Sequence, residues 1–96
     1  MPPTIEQAVE AHKAGKLEEA EAFYRAILKD QPKHSDANHN LGVLAVSINK
    51  TAMALPLFKV ALEANPNQGQ YWISYIDALI KEKQIESARS VLDQGK

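Results

Sequence analysis

Shifted against itself by 34 residues, this chain superimposes like on like. Ala20, Ala54 and Ala88 coincide, as do Tyr24, Phe58 and Leu92; Leu17, Thr51 and Ile85; and Pro32 with Pro66. Ala8 and Gly42 fall in register with Ile76, and no insertion is needed anywhere. A fixed period of this size marks a stacked-repeat architecture, in which a helical hairpin cannot cover its own apolar face and relies on its neighbour. The chain reads as one domain of units 1–34, 35–68 and a partial 69–96.

Apolar spacing and breakers predict six helices, the last truncated. The first runs from about Thr4 to Ala14 with Ile5, Ala8, Val9 and Ala11 at helical intervals, and Gly15-Lys16 turns the chain. The second, about Leu17 to Lys29, carries Ala20, Phe23, Tyr24, Ile27 and Leu28, with Glu18 and Glu19 in a first turn that favours negative charge. Ser35 or Asp36 is expected to cap the third helix, which shows Leu41, Leu44, Ala45 and Ile48. Asn49 then takes the column of Gly15. Thr51 is the expected N-cap of the fourth helix, with Ala54, Leu57, Phe58, Ala61 and Leu62 up to Asn65-Pro66. Pro56 should loosen its first turn without breaking it. A fifth helix is predicted from Gln70 to Lys83, and a sixth from Glu86 with Ala88, Val91 and Leu92. Trp72, Tyr75 and Leu79 share one face of the fifth, which reads as core. Lys83 replaces the turn residue of the last unit, which makes that corner the weakest in the pattern.

Composition excludes several functions. The formal net charge is −1, with no basic stripe of the kind a nucleic-acid binder presents. There is no cysteine, which removes disulfides, thiolate metal sites and cysteine nucleophiles. Met1-Pro2-Pro3-Thr4-Ile5-Glu6 lacks the basic and apolar regions of a signal peptide, and no stretch approaches the roughly 20 apolar residues of a membrane span. A cytoplasmic protein without membrane contact is the expectation. Ending at Gln94-Gly95-Lys96, short of a complete third unit, the chain reads as a segment of a longer protein.

The recurring columns resemble those of the tetratricopeptide repeat family. They are Gly15, Ala20, Tyr24 and Pro32 in the first unit, and Leu41, Gly42, Ala54, Phe58, Ala61 and Pro66 in the second. The third unit contributes Trp72, Ala78 and Ala88. The resemblance implies an all-α, right-handed superhelical solenoid of antiparallel helix hairpins. It departs at Ile76, where a small residue is expected, and at Thr4 and Asn38, which stand in the column of Trp72 and predict lighter packing there.

The resemblance further implies a protein–protein interaction module, binding a peptide or partner helix on a concave face made by the first helix of each unit. By column, that face holds Val9 and His12; then His39, Asn40, Val43 and Val46; then Ile73, Ser74 and Asp77. Members that grip a carboxylate terminus need cationic donors in the groove. Their positions hold Ile5, Val9, Asn40, Gln70 and Ser74 here, so that specialisation is excluded. The chain also resembles the non-catalytic repeat segments that precede bacterial glycosyl- or sulfotransferase domains, which gives an alternative role in positioning substrates. A transferase domain after Lys96 would favour it.

No catalytic residue, metal site or cofactor is expected. His34 and His39 are five apart and straddle a helix start, and His12 belongs to another unit, so no pair has same-face ligand spacing. No serine or threonine has a base nearby in sequence, and no glycine-rich phosphate loop is present. Nothing after the last helix covers its apolar side chains, so self-association through that uncapped end is expected.

Overall fold

The computed structural model describes the backbone of residues 2–94 and the side chains of residues 2–86. Five helices follow in chain order: α1 Ile5–Lys13, α2 Leu17–Asp30, α3 Ser35–Ser47, α4 Thr51–Ala64 and α5 Gly69–Gln94. No strand occurs among the described residues. α1 packs on α2 and α3 on α4 as hairpins, α2 meets α3, and α5 lies on α4 and α3.

The two hairpin corners are copies of each other. Gly15 has φ 79° and Asn49 φ 64°, the left-handed conformation that ends a helix. Past each corner the same bond closes the turn: Lys16 N–H to the Ala11 carbonyl at 2.9 Å, and Lys50 N–H to the Ala45 carbonyl at 2.8 Å. The third occupant of this column is Lys83, a good helix former with a steric cost in the left-handed region. No corner forms there. The predicted fifth and sixth helices are instead one continuous helix of 26 residues. The count of six is thus corrected to five; the side chains of Ala88, Val91 and Leu92 lie outside the described residues.

Other helix starts depart from expectation too. α1 begins with a capping box: Gln7 N–H donates to Thr4 Oγ1 at 3.2 Å, and Thr4 N–H to Gln7 Oε1 at 2.8 Å. α3 is capped by His34, whose Nδ1 accepts from Ala37 N–H at 3.1 Å; neither Ser35 nor Asp36 is the cap, because both already lie inside the helix. Thr51 is not the cap of α4: it is the first helical residue and is buried, while Lys50 precedes it without a side-chain bond. The Lys50 carbonyl accepts from both Met53 N–H (3.1 Å) and Ala54 N–H (3.3 Å), and α4 runs unbroken through Pro56.

The core follows the repeat columns. Ala8, Ala20 and Tyr24 are wholly buried in the first hairpin, and Ala54 and Phe58 almost wholly in the second. At Gly42 the small residue is required outright. A Cβ there would lie 2.7 Å from Cδ1 and 2.9 Å from Cζ of Phe58, inside van der Waals contact.

Asn38 does not mark light packing. It is 3% exposed, and its amide donates to the Pro32 and His34 carbonyls at 3.1 and 2.9 Å. One repeat later, Trp72 Nε1 donates to the Pro66 carbonyl at 2.9 Å. Different side chains in one column thus fasten the same proline carbonyl. Trp72 nonetheless lies on the surface, contrary to the core expected of Trp72 and Leu79. Among the described residues no helix folds back upon α5, and its residues Trp72, Ile73, Ile76, Leu79 and Ile80 are between 43% and 54% exposed. Tyr71 is the buried aromatic instead.

Candidate functional site

Helical spacing brings Val43, Val46 and Ser47 of α3 to one face, and Ser74, Asp77, Ala78 and Lys81 of α5 to the face opposite. Together they enclose a cleft of about 280 Å³ with the Phe58 ring also in its lining. Its walls are apolar at Val43, Val46 and Ala78, while Ser74, Asp77 and Lys81 supply polar groups along α5. A larger hollow of about 490 Å³ between α1 and α2 is lined by Glu6, Gln7, Glu10, Lys16 and Glu19 together with Ala11, Ala14 and Phe23, and so carries a greater share of polar and charged surface. The smaller cleft is the better candidate because apolar walls with a few polar groups are what recognition of a side chain requires.

Of the residues expected on the concave face, Val43, Val46, Ser74 and Asp77 line this cleft. His39 sits behind them, 8% exposed, with its ring 4.6 Å from that of Tyr71 and 5.6 Å from that of Phe58. Its Nε2 is 2.8 Å from Ser74 Oγ and its Nδ1 3.3 Å from Asn40 Oδ1. An amide oxygen can only accept, so Nδ1–H donates to Asn40 and Nε2 accepts the Ser74 hydroxyl proton. This is the neutral tautomer. Burial depresses the His39 pKa below the ordinary imidazole value, against smaller upward pulls from Asn40 and Asp36.

Below this pair the Tyr71 hydroxyl donates to the Asp36 carboxylate. Burial, and then that bond, push the phenol pKa up. Ile73 lies on the exposed apolar stripe of α5. Val9 and His12 of α1 are half-buried and do not line the cleft. His12 Nδ1 lies 3.0 Å from the Tyr24 hydroxyl, and burial lowers its pKa.

The Ser74–His39 contact was not legible from local sequence, where no serine has a nearby base. The usable signal was the period itself: the two residues are 35 apart, as are Asp36 and Tyr71. Hydrogen-bond distance alone does not make a nucleophile. The His39 Nδ1 partner is an amide rather than a carboxylate. Among the described residues, no cluster of three or more histidine, aspartate or glutamate side chains is placed to hold a metal ion. Nor is any helix there long and apolar enough to cross a membrane.

Two copies of one hairpin, closed by the same turn bond and plugged by an aromatic ring in the same column, agree with a comparison of sequences. Residues 5–69 match the family described as Tetratricopeptide repeat. The chain belongs to the tetratricopeptide repeat family. The match spans both hairpins and stops at Gly69, where α5 begins and the repeat pattern loses its corner. No curated protein matches the chain. Tetratricopeptide repeats are typically non-catalytic interaction modules, so membership suggests protein–protein interaction in general.

Proposed function

We propose that this repeat domain docks an extended or helical segment of a partner protein along α3 and α5, with one apolar side chain entering the cleft lined by Val43, Val46 and Phe58. The cleft carries the reading: at about 280 Å³ it falls just below the roughly 300–1,000 Å³ of small-molecule sites, and suits a single side chain better than a whole ligand. Asp77 and Lys81, one turn apart, would fix the register of the segment through its polar groups. His39 acts from behind, holding Ser74 and Asn40 in place without offering much surface of its own. Ile73, Val9 and His12 extend the same concave face toward its two ends.

The test is pull-down with the intact protein, repeated with Asn40→Arg and Val43→Glu. Partners captured by the native chain should be lost by both variants while helical content is retained. Unchanged partners would sink the groove.

A further inference from the structure

Helical spacing gathers Trp72, Ile73, Ile76, Leu79 and Ile80 on one side of α5, all within about 60° of the direction of Ile76. The opposite side carries Tyr71 and Ala78, both buried in the core clusters shared with α3 and α4. Each of the five is about half exposed, and none is charged. Their order along the chain is symmetric. Ile73 and Leu79 are equidistant from Ile76, and so are Trp72 and Ile80. The symmetry extends to the ends of the stripe, where Gly69 and Lys83 are also equidistant from Ile76. Gly69 has open space beside it: a Cβ there would meet no atom within 4 Å.

We propose that two copies of this chain pair stripe to stripe, α5 antiparallel to α5, with Ile76 meeting Ile76 on the twofold axis. In that register Trp72 of one copy lies level with Ile80 of the other, and Ile73 with Leu79. The long stem of Lys83 comes level with Gly69, where there is room for it. An isologous interface must be its own complement, and this symmetry about one residue supplies that. An unrelated partner would require no such symmetry. The rows Trp72–Ile76–Ile80 and Ile73–Ile76–Leu79 cross at Ile76, giving the two ridge directions that interlock when helices pack about 20° from antiparallel. Five half-exposed side chains of this size offer on the order of 100 Å² each, so the pair buries roughly 1,000 Å² in total, the low end of specific interfaces. A reversible dimer of micromolar rather than nanomolar affinity follows. The stripe is turned away from Ser74 and Ala78, so the pairing stands independently of the groove reading.

The chain has no cysteine, so disulfides can report the pairing directly. Positions that face each other fall within the roughly 7 Å that a disulfide spans, whereas the two copies of residue 72 are about 12 Å apart along the helix axis. Ile76→Cys alone, oxidised at micromolar concentration, should give a covalent species of twice the chain mass. Trp72→Cys and Ile80→Cys should each crosslink poorly by themselves and well when mixed. The native chain should sediment as a reversible dimer. Ile76→Glu and Ile76→Lys, at an exposed site, should keep their helical content and each weaken the dimer roughly tenfold or more, while an equal mixture of the two should associate again. A native chain that stays monomeric at high concentration would overturn the pairing; a slow alkylation of the Ile76→Cys thiol would then assign the stripe to a covering segment of the same chain. Trp72→Cys crosslinking with itself as readily as with Ile80→Cys would overturn the antiparallel register. Dimers of Ile76→Glu as tight as those of the native chain would place the interface elsewhere.

Discussion

His39 Nε2 and Ser74 Oγ lie 2.8 Å apart although 35 residues separate them in the chain. The separation is one repeat plus one residue, the same as that between Asp36 and the Tyr71 hydroxyl that donates to it. Two side-chain bonds of this kind join α3 to α5, where a ladder of small residues joins the helices within each hairpin.

Stability should therefore depend on pH through His39. Its folded pKa lies below the value of about 6.5 expected for the unfolded chain. In that window the unfolded state binds more protons, so stability rises with pH and levels off once both states are neutral. Acidification through and below the unfolded value should lower the urea midpoint, until the folded value is also passed. Asp36 opposes the effect, and Tyr71, Phe58, Asn40 and Ser74 supply no positive charge near the ring. His39→Gln should flatten the profile, leaving the part owed to His12, whose shift has the same sign. An unchanged slope would place the titration elsewhere.

Gly42→Ala should destabilise the domain by about 1–3 kcal/mol, although alanine is the better helix former by up to about 1 kcal/mol. The new methyl enters the Phe58 ring. Phe58→Leu in the same chain should recover part of the loss, a non-additivity readable by denaturant melts of the two single variants and the double.

The corner residues predict opposite signs. Gly15→Ala meets no atom within 4 Å, yet places a side chain at φ 79°, and should cost about 1–2 kcal/mol through backbone strain alone. Asn49→Gly relieves a φ of 64° and should be neutral to stabilising by up to about 1 kcal/mol. Thermal melts of the two variants should move in different directions.

Tyr24 contributes through both its ring and its hydroxyl. Tyr24→Ala removes a wholly buried ring and should cost about 3–5 kcal/mol, enough to unfold a domain of ordinary stability. Tyr24→Phe keeps the ring and loses only the bond to His12 Nδ1, which is worth about 0.5–1.5 kcal/mol. Near-equal losses would mean that the hydroxyl, not the packing, holds the first hairpin.

Much of this was legible in the sequence, because periodic burial writes itself as periodic residue type. Ala8, Ala20, Gly42, Ala54, Tyr24 and Phe58 are buried where their columns place them, and Gly15 and Asn49 turn the chain. What the columns could not supply was the weight of one substitution against a whole unit. Lys83 has ordinary helical backbone available to it, and that local preference prevailed over the precedent of two corners. The surface position of Trp72 and Leu79 followed from the same event. His34 was missed as a cap because an imidazole nitrogen accepting from a backbone N–H lies outside the usual short oxygen-bearing set. Half of the cleft was anticipated by column, but its floor was not: Phe58 was read only as core.

That double position of Phe58 ties occupancy to folding. A side chain seated between Val43 and Ala78 would press on the ring that spaces α3 from α4. A tightly held guest should then raise the melting temperature of the second hairpin, and loosening that hairpin should shorten the guest's residence, since each equilibrium bears on the other by the same free energy.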